Sequence, residues 1–377
     1  MVRVILISSV IPSTYSAGHM VLHRHLTNEP EIDLQILETE PQIRILQKLL
    51  RRLLCRLERL KLLRLYHDIL AIWRGKWIDG ELPAPEDTGV SSVVMTVAHG
   101  DAYHAAIRYA HLHQLPLVTI FHDWWPDIPP MHKPFRSMLE SSFRKLYNES
   151  SLALCVSSGM KNKLGPHQNS KVLYPMPARH HGIDLHQKDK SQCSFRLLYS
   201  GNLDDYGPML IDALELLKED KNIRLEVRGA SSMWPEVIRK EMTERGLLLP
   251  YAQREEFDAW LESADAFLVA QSFDEKHNRL MQTNFPSKLV EFAQFGKPLV
   301  VWGPSKASAP VWATECGQAL VVDQENPECL KKALGKLCAD SSEQERLAAA
   351  AKELAAGPFG PERIQSDFLR WLHEVAV

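Results

Sequence analysis

Apolar runs of strand length alternate with segments of helical period along almost the whole chain. Val2 to Ser8 is nearly all apolar, which marks a strand of a parallel sheet buried on both faces. Further strands are expected at Leu34–Leu37, Ser92–Val97, Leu117–Phe121, Leu152–Val156 and Lys171–Tyr174. The polar loop IPSTYSAGHM leads into a helix starting near Gly18, and helices are expected over Ala102–His113 and Phe135–Glu149. This alternation predicts a doubly wound α/β layer. Pro175–Gln192 is rich in Pro, His and Lys, lacks a period, and reads as a linker.

The pattern then restarts. Strands are expected at Arg196–Tyr199, Arg224–Gly229, Leu247–Leu249, Ala266–Ala270, Leu299–Trp302 and Ala319–Val322. Helices are expected at Pro208–Lys218, Trp234–Arg245, Arg254–Ser263, Ser287–Phe295, Pro327–Ala339, Glu343–Ala356 and, after a GPFGP break, Pro361–Val375. The expected domains are residues 1–178, joined by the final helix (361–377), and residues 179–360. Two Rossmann-like halves facing a central cleft would place ligands at the C-terminal ends of their strands.

One segment departs from this plan. From Arg44 to Tyr66 the basic residues Arg44, Lys48, Arg51, Arg52, Arg56, Arg59, Lys61 and Arg64 meet a single acid, Glu58. Leu46, Leu49, Leu50, Leu53, Leu54, Leu57 and Leu60 recur at helical spacing. An apolar stripe backed by cations suits a helix lying in the plane of an anionic membrane. A helix packed on a partner protein and a plain internal helix are the other readings. Trp73 and Trp77, beside Arg74 and Lys76, also suit an interface.

Composition narrows the class. The chain has 377 residues, 45% hydrophobic and 24% charged, enough for two globular domains. A net charge of −3 gives no global reason to expect nucleic acid as a partner. The cysteines (Cys55, Cys155, Cys193, Cys316, Cys329, Cys338) form no CxxC or Cys/His pattern, so thiols in a reducing cytoplasm are expected and a metal site is not. The opening MVRVILISSV reads as a core strand rather than a signal peptide, and no apolar stretch reaches the ~18 residues of a spanning helix.

Chemistry is densest in Thr283–Gly303, TNFPSKLVEFAQFGKPLVVWG. Ser287 is expected to cap a short helix that Gly296 ends. Lys288 at the helix start would neutralise phosphates, and Glu291 one turn on would accept from sugar hydroxyls. The bland reading is an ordinary loop–helix–strand unit. This run resembles the donor-site segment of family 4 glycosyltransferases, which have the GT-B fold and use nucleotide-activated sugars. The resemblance implies a UDP- or GDP-linked donor, no further cofactor, no metal, and retention of anomeric configuration.

Other positions take meaning from that resemblance. Gly18 in SAGHM resembles a glycine loop near the donor diphosphate. Gly201-Asn202 matches a strand-end turn, although the Arg and Lys clamp that family members often carry after it is missing from Leu203–Gly207. Arg228-Gly229-Ala230 resembles the glycine turn before the base pocket, and Leu249-Pro250-Tyr251 the segment beside the base. Pro286 closes the donor turn, and Arg279 is a second candidate for phosphate charge. The family's earlier acid falls at Thr283, which puts a carboxylate contact to the sugar there in doubt. His99, and His122 with Asp123, end strands in VAHGD and FHDWWPD and are the catalytic candidates around sugar and acceptor; a structural role is the plain alternative.

The expected function is hexosyl transfer to a glycan or lipid-linked acceptor at the cytoplasmic face of the cell membrane. A nucleotide-sugar epimerase of the same fold and a non-catalytic membrane scaffold are the alternatives.

Overall fold

The computed structural model describes residues 1–14, 17–38, 52–57, 62–73, 82–86, 89–178, 194–204 and 206–377. These form two compact units, Met1–Tyr174 with Gln365–Val377, and Pro175–Ile364.

In the first unit, β1 (Val2–Leu6), α1 (Ala17–Leu26), β2 (Ile32–Ile36), α2 (Leu63–Trp73), β3 (Ser92–Val97) and α3 (Tyr103–His113) come first. They are followed by β4 (Leu117–Phe121), α4 (Lys133–Glu149), β5 (Leu152–Cys155), α5 (Ser158–Leu164) and β6 (Ser170–Val172). Among the described residues the strands make one parallel six-stranded sheet, ordered β2-β1-β3-β4-β5-β6. Every residue of β1, β4 and β5 is buried, as apolar strands covered on both faces must be. Aromatic side chains fill the space under α4: Phe121 meets Phe143 and Tyr147 edge-on at 5.2 and 5.6 Å. Buried Asp68 in α2 accepts from the His132 backbone N–H (3.0 Å) and pairs with its ring, fixing α2 to the start of α4.

The second unit repeats the scheme. It runs β7 (Phe195–Ser200), α6 (Gly207–Leu217), β8 (Ile223–Arg228), α7 (Glu236–Glu244), β9 (Leu248–Leu249), α8 (Arg254–Glu262) and β10 (Ala266–Ala270). Then come α9 (Asn278–Thr283), α10 (Ser287–Ala293), β11 (Leu299–Trp302), α11 (Ser308–Cys316), β12 (Leu320–Val322), α12 (Pro327–Ala339) and α13 (Ser341–Ala356). The described strands form a parallel six-stranded sheet ordered β12-β11-β10-β7-β8-β9. The last helix, α14 (Pro361–Val375), starts in this unit and ends in the first, where Gln365 donates to the His25 carbonyl at 3.0 Å.

Two expectations change in detail. Ser287 is the first helical residue of α10, not its cap. Phe285 is buried against Trp312 and Phe359, and extended Pro286 takes the N-cap position without a side-chain bond. Gly18 lies in the first turn of α1 rather than in a loop. Gly296 does end its segment in the left-handed conformation (φ +59°), where glycine is favoured.

The basic segment lies largely outside the described residues, as does most of the linker. Residues 52–57 are helical, with Leu54 and Leu57 buried and Arg52, Leu53 and Arg56 exposed. Among the described residues, no helix is long and apolar enough to cross a membrane.

Candidate functional site

The second unit's site begins where β7 and β8 end side by side, with Ser200 in register with Arg228. The Gly201 N–H donates to the Arg228 carbonyl at 3.2 Å. A Cβ at Gly229 would stand 2.1 Å from the Gly201 carbonyl oxygen, so the two turns approach this closely only with glycine at 229. The loop after β7 is then pinned on several sides. Asn202 Oδ1 accepts from the Asp204 N–H, the Tyr199 hydroxyl donates to the Asn202 carbonyl, and the Trp234 indole donates to the Leu203 carbonyl.

Asp204 stands in Leu203–Gly207, the stretch that carries no Arg or Lys clamp. Its carboxylate accepts from the Met233 N–H (2.9 Å) and the Ser232 hydroxyl (2.7 Å). Those two bonds hold its carboxyl below the usual carboxylate range. Asp204 therefore joins the loop after β7 to the loop after β8, a structural task that a cation there could not perform.

These loops border a cavity of about 810 Å³, lined by Ser200, Gly201, Asn202, Asp204, Arg228, Gly229, Ala230, Met233, Tyr251, Ala252, Phe257 and Lys288. Of the expected donor residues it gathers Gly201, Asn202, Arg228, Gly229, Tyr251 and Lys288. Glu291 adjoins it through Lys288, whose Nζ is 2.8 Å from Glu291 Oε2. The lining does not include Pro250, Arg279, Pro286 or Ser287. Arg279 belongs to α9, where its carbonyl accepts from the Thr283 hydroxyl at 2.9 Å. Thr283 itself is fully buried, so the residue at the expected acid position bonds within its own helix.

Ser200, Asp204, Met233, Ala252 and Phe257 are lining residues that the sequence reading missed. The Phe257 signal was its place one turn into α8, three residues before Trp260. Lys288 Nζ lies 5.5 Å from the Phe257 ring centre, and the Arg228 guanidinium 5.0 Å from that of Trp260. Arg228 Nη1 also pairs with Glu256 at 3.1 Å.

Gln271, at the end of β10, fixes the elements behind Lys288. It is fully buried; its Nε2 donates to the Met281 carbonyl, Asn284 Oδ1 and Ser308 Oγ, and its Oε1 accepts from the Ala309 N–H. One amide thus joins β10, α9, the turn before α10 and the start of α11.

In the first unit, His99 and His122-Asp123 follow β3 and β4, adjacent strands of the sheet. His122 keeps some surface, but its Nε2 is shut from solvent and has no hydrogen-bond partner among the described residues. Burial, with His25 and His99 nearby, lowers its pKa to about 4, so the ring is neutral at pH 7. Burial also lowers the pKa of His99, with His19 adding to the effect, and raises that of Asp123. His99 lies against Trp125, ring centres 3.9 Å apart. A neutral His122 is suited to donate or accept a hydrogen bond rather than to carry a charge. Gly18 is not among the residues lining the second unit's cavity.

Residues 186–354 match the family model "Glycosyl transferases group 1". No curated protein matches the chain. Among solved structures the chain is similar to Anabaena Alr3699/HepE in complex with UDP and glucose (14% identity, 99% of this chain and 100% of that one, TM-score 0.61). It is similar as well to sucrose-phosphate synthase from Thermosynechococcus elongatus (12%, 99% and 98%, 0.61). A third is the lipopolysaccharide outer core galactosyltransferase WaaB in apo form (12%, 99% and 99%, 0.54). The chain therefore has the GT-B fold.

Proposed function

We propose that the chain is a glycosyltransferase that moves a hexose from a nucleoside diphosphate sugar to a glycan or lipid-linked acceptor. The observation that carries this reading is the cavity at the ends of β7 and β8, where Lys288, Glu291, Arg228 and the Gly201 and Gly229 turns meet. Lys288 would meet the leaving diphosphate and Glu291 the ribose hydroxyls. Such charge stabilisation matters most as the sugar gains oxocarbenium character and the phosphate gains charge. UDP stands in the complex of the similar Anabaena protein, which favours a uridine donor. His122, Asp123 and His99 would serve sugar and acceptor as hydrogen-bonding groups, with retention of configuration. The experiment is release of UDP or GDP from matching sugar donors with and without a membrane extract. Acceptor-dependent release supports transfer, sugar interconversion without release points to an epimerase, and no turnover points to a scaffold.

The acceptor reading rests on the surface around α2. Leu53, Leu62, Leu63 and Leu65 are exposed beside exposed Arg52, Arg56 and Arg64. Apolar side chains set among cations suit an anionic lipid surface, where each basic residue contributes roughly 1 kcal/mol. The galactosyltransferase of lipopolysaccharide outer core among the similar structures is named for a membrane-borne glycan, which agrees with this choice. The protein would then work peripherally on the cytoplasmic membrane face. Reversing Arg51, Arg52, Arg56 and Arg59 to Glu should abolish co-sedimentation with anionic vesicles while UDP binding persists. Wild-type protein that ignores such vesicles at low salt would remove the membrane from the reading.

A further inference from the structure

The cavity of the second unit is short of positive charge for the ligand assigned to it. Among the described residues, the cations lining it are Lys288 and Arg228, and Asp204 lines it too. Lys288 is already half-satisfied by Glu291 at 2.8 Å. The loop after β7, which has no Arg or Lys, uses its carboxylate to hold Met233 and Ser232.

Arg228 answers both sides of this shortage. Its side chain is 6% exposed, yet its Nε is shut from solvent and has no hydrogen-bond partner among the described residues. A buried donor left unmade is costly, so such a group points to an acceptor that arrives with a ligand. Its Nη1 is engaged by Glu256, but that carboxylate is 63% exposed, and an ion pair at the rim is readily exchanged. Trp260 supports the guanidinium from below, so the group is held in place rather than waving in solvent. The main chain of Arg228 also accepts from the Gly201 N–H, which sets it directly beside the turn after β7.

Resting on the donor reading given above, we infer that Arg228 supplies the second cation of the phosphate site, from the end of β8 instead of the loop after β7. A guanidinium suits this because its N–H groups meet phosphate oxygens at fixed angles and stay charged in a buried setting. Glu256 is then its placeholder: it pairs with Arg228 at the rim and gives way to phosphate.

Titration calorimetry with uridine, UMP and UDP, and with guanosine, GMP and GDP in parallel, tests this. Arg228→Met should weaken the diphosphate about tenfold or more while the nucleoside changes less than about twofold, the gap that a charge-assisted bond commands. Arg228→Lys should fall between Arg228→Met and wild type. Glu256→Gln removes the competing carboxylate and should tighten the diphosphate severalfold with the nucleoside unmoved. Because Glu256 is exposed, this variant decides the matter if Arg228→Met fails to fold. Equal losses for nucleoside and diphosphate would make Arg228 a base-reading residue and overturn the inference, as would a Glu256→Gln protein with an unchanged diphosphate-to-nucleoside ratio. Wild-type protein that binds neither series would instead bring down the donor reading itself.

Discussion

Lys288 and Glu291 form one ion pair, so each restrains the other. A nucleotide is expected to divide them, ribose taking Glu291 and phosphate taking Lys288. Lys288→Ala should therefore weaken a nucleoside diphosphate about tenfold but the bare nucleoside hardly at all. Glu291→Ala should weaken both ligands, since both carry ribose. Equal losses of the two ligands on Lys288→Ala, measured by calorimetry, would move the phosphate away from that residue. In the first unit, His122→Ala should lower kcat well beyond any change in donor KM, because its buried Nε2 has no partner to lose among the described residues. A variant with full turnover would leave His122 structural. The sequence named Lys288, Glu291, Gly201 and Gly229 because FPSK and the strand-end glycines are local spellings. It could not reveal the burial of Arg228. The alternation Ile223-Arg224-Leu225-Glu226-Val227-Arg228 reads like a strand with one wet face, but that face carries an ion network under α8. Arg196, Arg224 and the Trp260 indole all donate to Glu226, which is 4% exposed.

Among elements, those with strong local signals were legible almost to the residue. Strands β3, β4, β10 and β11 are dense apolar runs, and α12 opens with Asn326 accepting from the Glu328 N–H ahead of Pro327. Helices α5, α9 and α11 were missed, as was α2 beyond Tyr66; α5 and α9, of seven and six residues, are too short for a period to develop. The one available signal for α5 was Ser157, which caps it through the Met160 N–H at 2.9 Å. The missed helices α9 and α11 matter because Gln271 ties them to β10 and to the turn before α10. Gln271→Ala would leave the Ser308 hydroxyl, the Asn284 side chain and the Ala309 N–H without their buried partner. A loss of roughly 2–4 kcal/mol is expected, by analogy with other broken buried networks. It should appear as a lower melting point of the second unit together with weaker diphosphate binding. Melting that falls with diphosphate affinity intact would separate this hub from the positioning of Lys288.

At the scale of the molecule, the two units share a fold but differ in how they meet acid. The first unit buries neutral histidines. His25 is fully buried, its Nδ1 bonded to Gln365 Oε1 at 2.9 Å, and Gln365 comes from α14. Burial lowers the pKa of His25 to about 4, and that of His122 likewise. A histidine whose folded pKa lies below its unfolded value binds its proton first in the unfolded chain. Stability is thus full above about pH 7 and falls as the pH drops from about 6.5 towards 4. For fully buried His25 the loss amounts to about 3 kcal/mol at most. The second unit depends instead on carboxylates. Burial opposes the charge on Glu226, but bonds from Arg196, Trp260 and Arg224 outweigh it and hold its carboxyl below the ordinary range. Its contribution is present above about pH 4.5 and is lost only as the pH falls below that, at the acid end of the window in which the histidines titrate. The stabilities of the two units should accordingly diverge between about pH 6.5 and 4.5, the first opening while the second holds. Hydrogen exchange at pH 7 and pH 5, corrected for intrinsic rates, should show protection falling in β1, β3 and β4 while β7, β8 and β10 keep theirs. His25→Gln, which has no proton to gain, should flatten the pH dependence of the first unit. If β7 and β8 open first on acidification, or if His25→Gln leaves the slope unchanged, the buried histidines are not what makes the first unit sensitive to acid.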